Sequence, residues 1–296
     1  MSSLTDALHA NGYAVVPRAV PTALTAAVVS DIEDHFGWPV ADPGPWYGDP
    51  EVPPLGFVTD EGKFVPRMFH YPSMWAVREH PAVHAAFADI LGTPALWVSI
   101  ANVCVKLPAH PDHTDYGSNG FIHFDRLRWS LSNPDEAVDQ SKNPDTDMFL
   151  SGLVALTDTE ANMGGFQCVP GIYRRLDDWI AEQPDDWSPR NPNLSGYEIT
   201  PVPMRAGDLC IWTTRLPHGN GDNTSAAIRL AQYVTMAPAP IGFTDYHQRR
   251  ARRVRAWQTR SPSPSPADYH SREQALPPPA LSDLGRKLLG LDEWDN

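Results

Sequence analysis

The chain has 296 residues, of which 42% are hydrophobic, enough for one large folded unit with a buried core. Its formal net charge of −13 disfavours nucleic acid as a partner, because an acidic chain and a phosphate backbone repel each other. Three widely spaced cysteines and the lack of a long apolar run disfavour a disulfide scaffold and a membrane span, so we expect a cytoplasmic protein.

Residues 1–94 predict helices around one short strand. The pattern indicates a helix over Ser2–Ala10, which Asn11 and Gly12 would end in a left-handed turn. A strand over Tyr13–Val16 follows. A second helix begins at Pro21, with apolar residues on one stripe of its surface: Leu24, Val28, Ile32 and Phe36.

The segment 38–75 is rich in proline, glycine and aromatic residues and has no clear period. One interpretation is a long surface connection. The other is a lid or wall over a pocket, because long ordered loops in compact domains often bind ligands. In that case Trp46, Tyr47 and Phe57 are the candidates for substrate selectivity.

Residues 95–237 change to short strands separated by turns, which is typical of an antiparallel sandwich or jelly roll. The fold predicted is therefore mainly β with flanking helices. The strands predicted are Leu96–Val105, Gly120–Asp125, Phe149–Thr157, Gly165–Val169, Leu209–Trp212 and Arg229–Met236.

Residues 238–296 predict a C-terminal arm. It contains an arginine-rich helix whose basic run (Arg249, Arg250, Arg252, Arg253 and Arg255) we interpret as a solvated face. A proline-rich linker and an amphipathic leucine segment follow. We expect residues 1–296 to form a single domain, with this arm and the first 94 residues flanking the β core.

One stretch concentrates histidine and aspartate. The pattern His-x-Asp occurs three times, beginning at His110, His113 and His123. The first has a central proline and the second runs into a glycine turn, whereas His123-x-Asp125 lies in an alternating strand. Alternation places that imidazole and carboxylate on one face, which favours this pair as metal ligands. On this motif alone, a chain without any metal site is an equally open interpretation.

A distal segment supplies a third candidate ligand and an anion-binding residue. An apolar strand ends at His218, a Gly/Asn loop follows, and another strand begins at Arg229. Two histidines and one carboxylate on one face suit non-haem Fe(II), because three coordination positions stay open. The planar fork of Arg229 matches the carboxylate of a co-substrate.

These segments resemble the phytanoyl-CoA dioxygenase family. The resemblance rests on Gly120–Asp125, on Gly164–Gly171 and on Leu216–Ser225 together with Arg229. The opening around Asn11 is also similar, so that the resemblance extends over about residues 8–237.

The resemblance implies a double-stranded β-helix, the cupin-like jelly roll, with Fe(II), 2-oxoglutarate as co-substrate and O2. By that match His123, Asp125 and His218 are the catalytic iron ligands, and Arg229 binds the co-substrate's far carboxylate. Three positions correspond to further co-substrate contacts in the family: Lys106, Trp129 and Ser225. Related halogenases lack the carboxylate ligand, so the presence of Asp125 disfavours halogenation.

The expected function is hydroxylation of an unactivated C–H bond of a small organic molecule, in secondary metabolism. Desaturation, epoxidation or cyclisation with the same cofactors are the alternatives, and the oligomeric state is open. Two other classes stay open as well. A zinc-dependent hydrolase could use the same three ligands without Arg229, and a non-catalytic β-sandwich could bind a ligand without turnover.

Overall fold

The computed structural model describes residues 3–42, 44–47, 56–58, 64–66, 68–112, 114, 120–125, 142–143, 148–184, 186–261 and 272–294. The α-helices are α1 (Ser3–Asn11), α2 (Thr22–Phe36), α3 (Pro72–Arg78), α4 (Pro81–Leu91), α5 (Pro170–Tyr173), α6 (Leu176–Ala181), α7 (Tyr246–Thr259) and α8 (Asp283–Leu289). Two short 3₁₀ helices cover Gly44–Tyr47 and Arg272–Ala275.

The strands are β1 (Tyr13–Val16), β2 (Gly56–Val58), β3 (Phe64–Pro66), β4 (Leu96–Val98), β5 (Val103–Lys106), β6 (Phe121–His123), β7 (Lys142–Asn143), β8 (Met148–Ala155), β9 (Phe166–Cys168), β10 (Thr200–Pro201), β11 (Leu209–Thr213), β12 (His218–Asn220), β13 (Arg229–Tyr233) and β14 (Met236–Pro238). Within this described part, none of the helices combines the length and apolar character that crossing a bilayer requires.

The N-terminal elements form as their residues predict. Gly12 adopts a φ of 80°, the left-handed conformation that favours glycine, and so ends α1 before β1. Helix α2 begins directly after Pro21 and ends at Gly37, whose φ is 78°. Its buried side includes Val28, Ile32 and Phe36, three of the four residues in the predicted stripe.

Two antiparallel sheets face each other. The larger has the order β1-β11-β8-β13-β5-β3-β2, with β7 paired to β8, and the smaller has the order β10-β9-β12-β6. A separate pair, β14-β4, continues beyond the larger sheet. The prediction of a mainly β jelly roll with flanking helices is confirmed.

Three apolar clusters define the layers. The largest packs helices α1 to α4 and α8 against the outer face of the larger sheet. A second fills the space between the sheets with residues of both, such as Leu153 and Trp212 from one and Phe166 and Cys168 from the other. The third packs α5 and α6 on the outer face of the smaller sheet, under Ile122 and Phe124. Polar side chains that face the second cluster therefore point into the barrel.

Two predicted strands are each divided in the structure. The stretch Leu96–Val105 becomes β4 and β5, and Arg229–Met236 becomes β13 and the start of β14. The two breaks lie opposite each other. There the Ser99 N–H donates to Thr235 O and the Tyr233 N–H donates to Asn102 O. Beyond this point the paired strands β4 and β14 form a sheet of their own. Apolar composition does not reveal such a break, since buried residues lie on both sides of it.

The segment 38–75 is described only in part. Trp46 is buried against Phe36 in the main core, so its ring anchors the segment. Tyr47 donates its hydroxyl to Pro108 O at 2.6 Å and its ring lies against His110. Strands β2 and β3 extend the larger sheet beyond β5. The side chain of Phe57 lies outside the described residues, and the proposed lid stays a prediction.

Two arginines of the predicted solvated face in α7 bind backbone instead. Arg253 donates to Leu288 O and Leu289 O at the end of α8, and its guanidinium lies over the ring of Trp97. Arg250 donates to carbonyls just beyond that end. Cations that bind the free carbonyls of a helix C-terminus stabilise it, so this part of the basic run joins α7 to α8. The contacts of Arg253 with Trp97 and Val98 O fix the arm to the core.

A buried polar cluster joins the arm to the helices below the larger sheet. The Trp75 indole N–H donates to His70 Nδ1 at 3.2 Å, so the other ring nitrogen of His70 carries the hydrogen and donates to Ser261 O at 2.8 Å. The Glu273 carboxylate accepts the backbone N–H of His70 at 2.8 Å. Burial lowers the pKa of His70 to about 3 and keeps the ring neutral.

We expect this histidine to make the fold sensitive to mild acid. In the unfolded chain the ring takes up a proton below a pKa of about 6.5, whereas in the folded chain it does so only near pH 3. Stability is therefore complete above pH 6.5 and falls as pH decreases toward 3. Between pH 7 and pH 5 the loss from this residue is about 2 kcal/mol. Urea titrations of wild type and His70→Gln at both pH values measure it.

The variant should have a smaller difference between the two pH values than wild type. His9→Gln, at an exposed position of α1, is the matched control and should keep the full difference. Equal pH dependence in wild type and His70→Gln would contradict the prediction.

Candidate metal centre

Strands β6 and β12 place two histidines side by side. His123 and His218 are register partners in this antiparallel pair, and such partners point to the same face. Their ring centroids are 4.9 Å apart. Ile122 and Phe124 alternate with His123 and pack on the opposite face, so both imidazoles point into the barrel.

Asp125 completes a group of three. Strand β6 ends at His123, two residues earlier than its predicted end, and Asp125 lies in the bend that follows. Its two carboxylate oxygens lie 3.3 Å from His123 Nε2 and 3.3 Å from His218 Nε2. In the part of the chain that the structure describes, this is the one group of three His, Cys, Asp or Glu side chains whose ligand atoms all lie within 4.8 Å of one another.

The His218 imidazole is oriented for ligation, and the Asp125 carboxylate is ionised. His218 Nδ1 lies 2.8 Å from Leu216 O, so it donates its hydrogen there and leaves the Nε2 lone pair directed at Asp125 and His123. Burial would raise the pKa of Asp125, but the interactions of its carboxylate with the two adjacent imidazoles, His123 and His218, overcome this and hold its pKa below the usual range. The carboxylate is thus ionised, as a ligand to a divalent cation must be.

The opposite wall carries two buried cations. Arg229 begins β13 and is the register partner of Lys106 at the end of β5, so both side chains leave the larger sheet on the same face. Both are fully buried. Lys106 passes over Gly164, where a Cβ would lie 2.6 Å from its side chain. Glycine at this position before β9 therefore leaves room for the lysine.

The Arg229 guanidinium is only partly satisfied. Its Nη1 donates to Asn220 Oδ1 at 3.2 Å and to Cys104 Sγ at 3.3 Å. Among the described residues, neither Nε nor Nη2 has a hydrogen-bond partner. A buried cation with free donors is unfavourable unless an anion binds it, and the two free nitrogens suit a carboxylate in bidentate geometry.

Two neighbours of Arg229 were not predicted from the sequence. Asn220 lies two residues after His218 on β12, so strand alternation would have placed it on the ligand face. Cys104 is buried and has a free thiol. Its contact with Arg229 depends on the pairing of β5 with β13, which the sequence alone does not specify.

The remaining predicted residues differ in what the structure says of them. The Ser225 hydroxyl donates to Asn223 Oδ1 at 2.7 Å within the turn before β13, and a co-substrate contact for it stays a prediction. Trp129 lies outside the described residues. The His-x-Asp motif that begins at His110 lies outside the group of three candidate ligands. His110 Nδ1 accepts the N–H of Asp112, and its ring faces Tyr47. His113 lies outside the described residues.

The donor set fits an iron(II) ion. Two imidazole nitrogens and one carboxylate converge from one side, and this is the arrangement that leaves positions open for a chelating co-substrate and O2. A model of the phytanoyl-CoA dioxygenase (PhyH) family matches residues 8–231 of the chain. The chain belongs to this family.

Membership in the phytanoyl-CoA dioxygenase family confirms the predicted resemblance, and the family consists of non-haem iron, 2-oxoglutarate-dependent oxygenases. A relative in Dictyostelium discoideum, named "Putative phytanoyl-CoA dioxygenase", is 21% identical over 234 residues. The match covers 72% of this chain and 63% of that protein, so the chain spans less than two thirds of its length.

The names of other similar proteins refer to the biosynthesis of natural products. "Ava biosynthesis cluster protein O" of Aspergillus versicolor is 24% identical over 79% of this chain and 76% of its own length. Among solved structures, the epimerase SnoN in complex with Fe3+, alpha-ketoglutarate and nogalamycin RO superimposes with a TM-score of 0.55 at 18% identity, over 82% of this chain and 87% of that chain. At that identity the likeness concerns the fold, which agrees with the predicted double-stranded β-helix.

Proposed function

We propose that this protein is an Fe(II)- and 2-oxoglutarate-dependent oxygenase that hydroxylates an unactivated C–H bond of a small organic molecule in secondary metabolism. The observation that carries the proposal is Arg229, a fully buried guanidinium with two free nitrogens, among the described residues, inside the same barrel as His123, Asp125 and His218. A metal-dependent hydrolase binds no 2-oxoglutarate and needs no buried arginine for it. A 2-oxoglutarate-dependent enzyme needs such an arginine to bind the far carboxylate of its co-substrate.

Each residue has a defined part. His123, Asp125 and His218 would hold iron from one side, and Leu216 O keeps the His218 ring in the orientation that ligation requires. Arg229 would bind the co-substrate's far carboxylate, with Lys106 adding positive potential beside it. When bound, the iron and its co-substrate supply the power to oxidise a C–H bond with O2, while 2-oxoglutarate becomes succinate and CO2. The apolar cluster between the sheets excludes water from this chemistry.

The type of oxidation that the substrate undergoes is a separate part of the proposal. The SnoN name describes an epimerase, and the same cofactors also serve desaturation, epoxidation and cyclisation, so these are the alternatives to hydroxylation. The cluster protein of Aspergillus supports a role in secondary metabolism by its name alone. We expect a small molecule as substrate, rather than a nucleic acid or a membrane. The single-domain organisation of residues 1–296 and the cytoplasmic location are part of the same proposal.

Succinate release tests the proposed function. The purified chain with Fe(II), 2-oxoglutarate and O2 is incubated with a small-molecule library, and mass spectrometry identifies products that gain one oxygen atom. We expect succinate and product to form in equal amounts, and both to disappear when the metal is chelated. Loss of hydrogen without gain of oxygen would indicate desaturation or cyclisation. Turnover with Zn(II) and without 2-oxoglutarate would contradict the proposal in favour of a hydrolase, and ligand binding without any turnover would favour a binding protein.

A further inference from the structure

An aromatic ring on strand β6 lies directly beside the metal ligands. Phe121 and His123 alternate with Ile122, so both rings point into the barrel, where they stack with centroids 4.7 Å apart. Phe121 is also the register partner of Asn220, the residue that binds Arg229. The half-buried face of Phe121 is therefore part of the wall of the candidate site.

A loop between α6 and β10 brings an arginine onto this ring. Because β6 is the edge of the smaller sheet, the loop can reach it from outside. The Phe124 N–H, between the two ligands of the motif, donates to Pro189 O at 2.8 Å. The next residue, Arg190, places its guanidinium carbon 5.3 Å from the centroid of Phe121. Trp187 packs edge-on against the buried ring of Trp179 and so fixes the loop below.

Among the described residues Arg190 forms no ion pair, and its charged group contacts only the face of the Phe121 ring. Arg175, Arg205 and Arg215 each form an ion pair with a carboxylate. Arg190 is exposed, and among the described residues no acidic side chain lies within ion-pair distance of it. The chain has a net charge of −13. An arginine beside the candidate metal ligands that has no acidic partner among the described residues is therefore unusual. Stacking on Phe121 occupies one face of the guanidinium and leaves its N–H edge available.

We propose that Arg190 binds an anionic group of the primary substrate, a carboxylate or a phosphate, while Phe121 contacts the adjoining apolar part. This inference rests on the proposed function, because it concerns the substrate of the same site. The co-substrate is not the anion that Arg190 binds: Arg229 and Lys106 are fully buried on the opposite wall and already offer two positive charges to it. An exposed arginine at the edge strand is instead placed for a ligand that extends out of the barrel.

Matched probes test the proposal without requiring turnover. Phenylacetate, phenyl phosphate and phenylacetamide share an aromatic body and differ in charge. Each is titrated into the protein loaded with Zn(II), a diamagnetic replacement for Fe(II), and with 2-oxoglutarate. Binding is followed by the NMR signal of the Arg190 Nε–H, which is assigned by its loss in Arg190→Gln, and by ligand signals in the variants. The two anions distinguish a carboxylate from a phosphate substrate.

We expect the anions to bind wild type and to bind Arg190→Gln about five- to tenfold more weakly, since an exposed charge-assisted contact is partly screened. Phenylacetamide should bind both proteins equally. Arg252→Gln removes an exposed arginine of α7, away from the site, and should change nothing. The tighter anion identifies the substrate group. Equal losses for anions and amide, equal losses in Arg252→Gln, or no anion binding to wild type would each overturn the proposal.

A kinetic arm separates this proposal from the proposed function. With a substrate from the library, Arg190→Gln should raise the KM for that substrate and leave the KM for the co-substrate unchanged. A rise only in the co-substrate constant, or an oxidised substrate without an anionic group, would overturn the role of Arg190 while the oxygenase function stands. Conversely, the absence of succinate release with every compound would contradict the oxygenase function, and the probe titrations would still decide what Arg190 binds.

Discussion

Replacement of His218 by alanine is expected to abolish turnover and to reduce iron affinity by several orders of magnitude. The residue supplies one of only three protein donor atoms in the described site, and its Nε2 is already oriented by the bond from Nδ1 to Leu216 O. His123→Ala and Asp125→Ala should have the same effect, because with two ligands the ion is held weakly and its remaining positions fill with water. Iron content after dialysis and succinate release measure both consequences.

The control for this prediction comes from the competing His-x-Asp motif. His110 lies against Tyr47 and binds the turn at Asp112, outside the group of three. His110→Ala should therefore keep its iron and most of its activity, and we expect the same of His113→Ala. Normal iron affinity in the His123 variant, together with loss in the His113 variant, would move the metal site ten residues upstream along the chain.

Local pattern was sufficient to single out the three side chains that the structure brings together as a candidate metal site, and the arginine that it buries on the opposite wall. His123 and Asp125 were recognised because the apolar residues between them alternate, although the strand ends at His123 and the carboxylate reaches the site from a bend. His218 and Arg229 were recognised because each was predicted at the terminus of a strand beside a glycine-rich turn. Arg229 does begin β13, but the apolar strand expected to end at His218 ends at Thr213, and His218 instead begins β12 in the other sheet. A metal ligand needs a rigid backbone and space for the ion beside it. A strand next to a glycine-rich turn supplies both, and this pattern is visible in the sequence.

Features that depend on which strands pair could not be predicted in this way. That Lys106 lies opposite Arg229, and that Cys104 touches its guanidinium, follows from the pairing of β5 with β13 across more than a hundred residues of chain. The ladder bonds are the same for any partner, so only packing of the whole core selects it. The stacking of Arg190 on Phe121 likewise depends on a loop whose path no local period describes.

The second large effect is expected at Arg229. In the free protein its guanidinium is fully buried, and its Nε and Nη2 have no partner among the described residues. A buried, incompletely paired cation is held at a cost that a bound carboxylate relieves. Added 2-oxoglutarate should therefore stabilise the wild-type protein against thermal unfolding by mass action. In Arg229→Ala this stabilisation should be lost.

Arg229→Ala should raise the KM for the co-substrate much more than the KM for the primary substrate. Loss of a charge-assisted bidentate pair in a closed pocket costs about 2–5 kcal/mol, or roughly 30-fold or more in affinity. Arg229→Lys should recover only part of it, because an ammonium is a point charge and lacks the planar fork that matches a carboxylate. Arg215→Ala, at a surface ion pair with Asp177, is the matched control and should keep both constants.

Initial rates at varied concentrations of co-substrate and substrate separate the two constants, and thermal unfolding with and without 2-oxoglutarate verifies that each variant is folded. A folded Arg229→Ala protein with wild-type dependence on 2-oxoglutarate would remove this residue from the co-substrate site. Equal increases in both KM values would instead indicate that the variant has disturbed the barrel as a whole. The selective increase is expected because Asn220 and Cys104 contact the guanidinium on one side only, and its other nitrogens have no partner among the described residues and so can bind the co-substrate.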